Sequence, residues 1–254
     1  MSVFHMPVLD PASSLRRRLL AVCVLTVSAL AGTAAQAAAP SPPPDAHLYY
    51  QTKVAAKGMS LSIDSEIEWS RQGDTYRVLN HAQHMLLGNL TFDSRGRVTP
   101  AGLVPEAYLE TRRKREKLVT IDQASKQVKF SGGQTAAAPA GLQDRTSVLL
   151  QLSSLARGDA AAFQTGKTLT VPVAGSSQVQ EWVFQIVGEE TLSSPMGKLR
   201  TVHVKRQPRA GRDGPDEQQV DVWLAPDRNW LPARVRLREA NGDEFDQVVS
   251  RIEP

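Results

Sequence analysis

Met59-Ser60-Leu61-Ser62-Ile63-Asp64-Ser65-Glu66-Ile67-Glu68-Trp69-Ser70 alternates with a period of two. Met59, Leu61, Ile63, Ile67 and Trp69 fall on one face, and Ser60, Ser62, Asp64, Glu66, Glu68 and Ser70 on the other. Successive side chains of a strand point to opposite faces, so the stretch predicts a long β-strand with one buried and one wetted side. Arg71-Gln72-Gly73-Asp74 then turns the chain into a second alternating segment at 75–82, and the two read as a hairpin.

The same pattern recurs at 46–56, 85–92, 106–112, 117–122, 127–131, 168–173, 181–189, 198–206, 219–224, 233–239 and 244–252. Turn formers separate most of these segments, as in Ser94-Arg95-Gly96, Pro195-Met196-Gly197 and Asn241-Gly242-Asp243. About a dozen strands on short turns predict a meander. One segment differs. From Asp144 to Arg157 the apolar positions Val148, Leu149, Leu152, Leu155 and Ala156 follow helical spacing, with Asp144 as N-cap and Gly158 as terminator. A small-residue loop, 132–141, precedes it and lets the chain cross the sheet. A lone amphipathic helix among many strands must bury its stripe against a concave sheet face or the mouth of a barrel. The expected fold is mainly β: a strongly curved antiparallel sheet or open barrel with one amphipathic helix, about 144–157, packed against it.

The N-terminus reads as an export signal. Arg16, Arg17 and Arg18 lead into the apolar run 19–31 and then Ala35-Gln36-Ala37, the charged, apolar and small-residue zones of a secretory signal in order. A membrane-spanning helix needs about 20 apolar residues, and this run breaks at Gly32 and Thr33. Cleavage after Ala37, or after Ala39, leaves a Pro-rich leader at 38–45 and a single β-rich domain at 46–254, with residues 1 to about 45 outside the fold. Cys23 fits a small hydrophobe in the signal core better than a lipidated cysteine, because Val22 is bulky and Arg18 close. Cys23 is the chain's single cysteine, so the mature protein would form neither a disulfide nor a thiolate metal site. The expected location is the periplasm. Removing 1–37 takes away three arginines and one aspartate, lowering the formal charge from +4 to about +2 and weakening any case for nucleic acid.

Each candidate for chemistry has a plainer account. His81 and His84 are three apart in a strand-like context and would point to opposite faces, so they do not share a metal. Asp64, Glu66 and Glu68 share a strand face, at a separation of about 7 Å that suits an acid and base pair or a hard cation. Nothing in the sequence indicates the second wall of a pocket, so a solvated strand face is the better account of them. Gly166-Lys167-Thr168 resembles the end of a phosphate loop, but Ala161 stands where the first glycine belongs and a strand follows. No Ser-x-x-Lys or Gly-x-Ser-x-Gly occurs, so no catalytic residue is assigned, and no cofactor or metal is implied. The densest basic run, Arg112, Arg113, Lys114, Arg115 and Lys117, suits an anionic headgroup or guards a sheet edge. Trp223 and Trp230 flank a Pro226 turn and, with Trp69 and Trp182, supply the large aromatic surfaces for a groove or for the core.

Four stretches together resemble the exported bacterial proteins of the DUF3108 family: Gly102-Leu103-Val104-Pro105-Glu106-Ala107-Tyr108 through Arg112, Asp144-Arg145-Thr146-Ser147-Val148-Leu149-Leu150-Gln151-Leu152, Trp182-Val183-Phe184-Gln185-Ile186-Val187-Gly188-Glu189-Glu190, and Val222-Trp223-Leu224-Ala225-Pro226-Asp227 to Arg236. Ile121-Asp122 departs from the aromatic-Asp pair expected at that turn. The resemblance implies a periplasmic β-rich protein of a Gram-negative bacterium and brings no activity, cofactor or catalytic residue. A looser likeness, in the curved sheet with an inserted helix, is to half-barrel carriers of lipoproteins and lipids.

These readings converge on a periplasmic, non-enzymatic binding or carrier protein. Tyr108, Trp182 and Trp223 are expected to line an apolar cavity, and Arg112, Arg113 and Arg115 to meet an anionic headgroup. The expected partners are a lipid or lipoprotein, or an envelope protein, with peripheral membrane contact and no nucleic acid. A scaffold in envelope assembly, using a strand edge and the basic run, is the alternative. A third is an envelope-polymer hydrolase gathering Asp64 or Glu66 with a histidine in a cleft.

Overall fold

A computed structural model of the chain describes residues 38–56, 58–84, 88–208 and 218–254. The signal segment 1–37 with Cys23, and the opening of the 85–92 segment, lie outside the described residues. Among those described, fifteen strands form one curved sheet. They are β1 (Ala46–Ala56), β2 (Met59–Gln72), β3 (Thr75–His84), β4 (Gly88–Thr99), β5 (Gly102–Arg112), β6 (Arg115–Asp122), β7 (Gln127–Phe130) and β8 (Thr135–Ala137), then β9 (Gln143–Asp144), β10 (Thr168–Ala174), β11 (Val179–Ser194), β12 (Gly197–Gln207), β13 (Gln219–Ala225), β14 (Leu231–Arg238) and β15 (Glu244–Glu253). One helix, α1 (Ser147–Gly158), lies between β9 and β10.

The meander is wound in two directions from its middle. β1 pairs with β2 on one side and with the last strand, β15, on the other, so β2 to β8 fan out one way and β14 to β9 the other. Every neighbouring pair is antiparallel except β9 and β10. The edges β8 and β9 do not pair, and the sheet stays open. Its wings nonetheless approach: Lys117 on β6 donates to the Ser176 hydroxyl beyond β10, at 3.4 Å. Three- and two-residue edge strands give an incoming chain little to pair with.

The alternating segment 59–70 forms most of β2, with Ile63, Ile67 and Trp69 buried on the inner face. Bulges at Tyr49/Tyr50, Arg95/Gly96, Ile186/Gly188 and Trp223/Leu224 add local twist and help curl the sheet. Ser94-Arg95-Gly96, expected as a turn, is one of these bulges inside β4. Glycine is needed there because the Val104 carbonyl occupies the space of a Cβ at position 96.

The helix starts later than Asp144 and is still set by it. Asp144 Oδ1 accepts from the amides of Thr146 and Ser147, both at 2.8 Å, and Oδ2 accepts from the Ser94 hydroxyl at 2.5 Å. One carboxylate thus ties the first turn to β4. Gly158 is the last helical residue rather than the terminator, and Asp159 closes the helix by donating its amide to Leu155. The burial extends beyond the expected stripe. Ser153 and Ser154 are also buried, and their hydroxyls donate back to the carbonyls of Leu149 and Leu150. The helix fills the trough, touching β5 in one half of the sheet and β14 in the other.

Gln151 locks the helix to β5. Its Oε1 accepts from Leu103 N at 2.8 Å, and its carboxamide lies against Gly102, whose φ of +104° already disfavours a side chain. The Pro-rich leader, expected outside the fold, docks on the far end of the helix. Ser41 N donates to Ser154 O at 2.8 Å, Arg157 Nε donates to Ser41 O, and Trp69 Nε1 donates to Pro43 O at 3.1 Å. The main core lies between α1 and the inner face, and a satellite core under β5 to β7 gathers Tyr108, Val119, Val128 and Phe130.

Candidate functional site

A cavity of about 80 Å³ lies in the trough at the N-terminal end of α1. Every strand from β1 to β5 and from β13 to β15 contributes to it, as does β11, so it spans both halves of the sheet. One wall carries Ile63, Ala82, Leu90 and Phe92, the opposite wall Val220, Val235, Leu237 and Phe245, and Val148 and Leu149 of the helix close it. The polar side chains are the minority: Thr52, Asn80, Thr146, Gln218, Gln247, Glu239, Arg112 and Arg145. A mostly apolar pocket with a few polar groups is the usual form of a small-molecule site.

Three of the residues expected at a site meet here. Tyr108 and Trp182 line the cavity from opposite wings, and Arg112 joins them at the end of β5. Burial lifts the Tyr108 hydroxyl well above its ordinary pKa, and the adjacent Glu110 carboxylate raises it further. Glu110 accepts from Arg112 Nε at 2.6 Å, and the Arg112 guanidinium lies 5.5 Å from the Phe92 ring. Trp182 meets Phe184 edge-on and carries Arg206 over its other surface, 4.5 Å from the ring centre.

The other three lie elsewhere. Trp223 does not line the cavity, because β13 alternates and Val220 and Val222 take the inward positions. It stacks instead on His203 and donates Nε1–H to Glu190 Oε2 at 2.8 Å. Arg113 sits exposed in the β5–β6 turn with φ +59°, and Arg115 opens β6 on the exposed side of that hairpin. Of the remaining tryptophans, Trp69 is core and Trp230 packs on Phe163.

The outer face holds a second cluster. His47 Nε2 lies 2.7 Å from Glu66 Oε2, and His81 Nε2 lies 4.0 Å from the same oxygen. His47, Glu66 and Glu68 place ligand atoms within 4.8 Å of one another, which suits a divalent cation in donor chemistry. His47 and Glu66 already engage each other, and the Tyr49 hydroxyl meets His47 Nδ1 at 3.0 Å and donates to Glu253 at 3.1 Å. β3 runs unbroken through His81 and His84, so they occupy opposite faces. Glu66 therefore does meet histidines, but on a half-exposed sheet surface rather than in a cleft, while Asp64 is exposed.

Sequence reasoning missed Arg145 and Phe92. Phe92 falls in a segment read as a strand, and a strand reading does not say which of its side chains reaches a cavity. Arg145 follows a capping aspartate, a place where a charged residue ordinarily faces water.

No curated protein matches this chain in sequence. Among solved structures, a β-barrel-like protein of the domain of unknown function DUF1849 from Brucella abortus is 12% identical, with a TM-score of 0.53 over 85% of this chain and 99% of that one. It shares the fold. A putative outer membrane lipoprotein-sorting protein domain from Vibrio parahaemolyticus aligns over 83% of this chain and 85% of that one, at 11% identity and a TM-score of 0.35. A DUF1329 family protein from Desulfovibrio piger aligns over the same shares at 8% identity and a TM-score of 0.30. The family model for the protein of unknown function DUF3108 matches residues 45–248, four-fifths of the sequence, and the chain belongs to that family.

Proposed function

We propose that this protein is a non-catalytic binding or carrier protein of the bacterial periplasm, exported by a signal cleaved after Ala37, with one domain at 46–254 that holds a hydrophobic ligand in the trough of its sheet. The observation that carries the reading is the apolar cavity at the N-terminal end of α1, with Tyr108, Trp182 and Phe92 on its walls. Core positions are ordinarily filled to crystal-like density, so a cavity of this lining marks a place kept for something else. The arginine-led apolar segment 16–37 supports export. The expected ligand is an acyl chain or an apolar segment of an envelope component.

The test is native mass spectrometry with lipid extraction on mature protein purified from the periplasm. Near-stoichiometric lipid supports the carrier. A bare protein that ignores added phospholipid, and that crosslinks instead to an envelope protein, replaces this reading with the scaffold.

A further inference from the structure

Resting on the reading that the cavity holds a ligand, we infer that the ligand is an amphiphile with an anionic head, a carboxylate or a phosphate, received by Arg145. Arg145 lines the cavity, its Nε is buried without a hydrogen-bond partner, and it makes no ion pair among the described residues. The neighbouring polar groups are already matched. Arg112 holds Glu110 at 2.6 Å, Gln218 Nε2 donates to Glu239 at 2.8 Å, and Asp144 is taken by Ser94 and the first amides of α1. Arg145 is the cation of the lining left over.

A guanidinium drawn partly out of water without a partner is costly, so its persistence beside apolar walls points to a partner that arrives with the ligand. Guanidinium is also the side chain whose fork of N–H donors best fits a carboxylate or phosphate, two bonds at a time. The backbone makes room for it. Gly175 is buried under the Arg145 side chain, and a Cβ there would stand 3.2 Å from both Nε and Nη2.

The experiment measures binding of laurate, dodecyl phosphate and dodecanol to the mature protein and to Arg145→Gln by titration calorimetry, with thermal melts to show that both are folded. The expected result is that at least one anion binds tenfold or more tighter than dodecanol, that Arg145→Gln erases this preference, and that dodecanol binds both proteins alike. Which anion wins identifies the head. Equal affinities for all three, unchanged in Arg145→Gln, overturn the anionic head and leave the hydrophobic carrier standing. Failure of all three to bind overturns both. If Arg145→Gln does not fold, Arg145→Met keeps the length of the stem without the charge, and an unaltered preference there overturns the inference.

Discussion

The imidazole of His203 lies flat on the indole of Trp223, with ring centroids 4.2 Å apart and planes within 10°. The two residues are cross-strand partners on β12 and β13. A carboxylate faces each ring nitrogen, Glu190 at 2.9 Å and Asp221 at 2.7 Å, and Arg234 and Arg236 cover the indole from β14. This stack, outside the trough, pins four strands of the C-terminal half together.

Removing His203 should therefore act on stability and on its pH dependence. Burial works to raise Asp221 and Glu190, yet hydrogen bonds from His203, with Arg236 on Asp221 and Trp223 on Glu190, hold both below the ordinary carboxylate range. Carboxylates depressed in the folded state stabilise it above their unfolded values, near 4, and that stability drains away as pH falls through the folded values. His203→Ala should cost about 2–4 kcal/mol at pH 7, less than a fully buried pair because Glu190 is half in water. Urea melts should also show a shallower loss of stability below pH 4 than in the wild type. An unchanged acid limb would show that His203 does not hold these carboxylates.

Asp144 carries the opposite sign. It is buried, and desolvation raises it above its ordinary value despite the bonds from Ser94, Ser147 and Thr146. A raised carboxylate contributes stability below its unfolded value, and that contribution is lost as pH rises through the folded value. Asn offers the same acceptor to the helix amides and a donor to the Ser94 hydroxyl without the buried charge. Asp144→Asn should stay within about 1 kcal/mol of wild type at pH 7, whereas Asp144→Ala, which orphans two amides, should lose about 2–4 kcal/mol. The gap between wild type and Asp144→Asn should move in favour of Asn as pH rises from 4 to 8. Chemical denaturation across that range checks both.

What the sequence could and could not show follows from the same residues. Ile63, Ile67 and Trp69 alternate with charged neighbours, so their inward face is legible. In 220–224 every residue but Asp221 is apolar, and alternation gives no sign that Trp223 points away from the trough. Its burial comes from His203 on β12 and from Arg234 and Arg236 on β14, packing that no local pattern records. Tyr108 and Arg112 share a parity on β5 and reach the cavity together, while Arg113 and Arg115 belong to the turn between strands. Gly96 reads as a turn because a bulge and a turn ask for the same residue. Arg145 is hidden for a tertiary reason, since only the approach of Gly175 turns a charged residue at a helix start inward.

The leader offers a test of what belongs to the folded domain. Deleting residues 38–45 removes the bonds from Ser41 to Ser154, from Arg157 to Ser41 and from Trp69 to Pro43. At about 0.5–1.5 kcal/mol each, the chain beginning at Ala46 should lose about 1.5–4.5 kcal/mol. Its tryptophan emission should shift red as the Trp69 indole loses its cover. An unchanged urea midpoint and spectrum would show the leader to be a passive tail.

Filling the cavity separates binding from folding. Ala82 lines the cavity, as does Leu237 of the other half of the sheet, so a larger side chain at 82 enters the space a ligand would take. In a filled core such a substitution forces strain of about 1–3 kcal/mol, and at a ligand cavity it replaces the ligand instead. Ala82→Leu should fold with a melting temperature within a few degrees of the lipid-free wild type, and should come from the periplasm bare where the wild type carries lipid. Native mass spectra of the two proteins, purified side by side, make the comparison. Equal lipid on both would place the ligand outside the trough, and a large loss of melting temperature would show that the space at Ala82 was already occupied by the protein's own side chains.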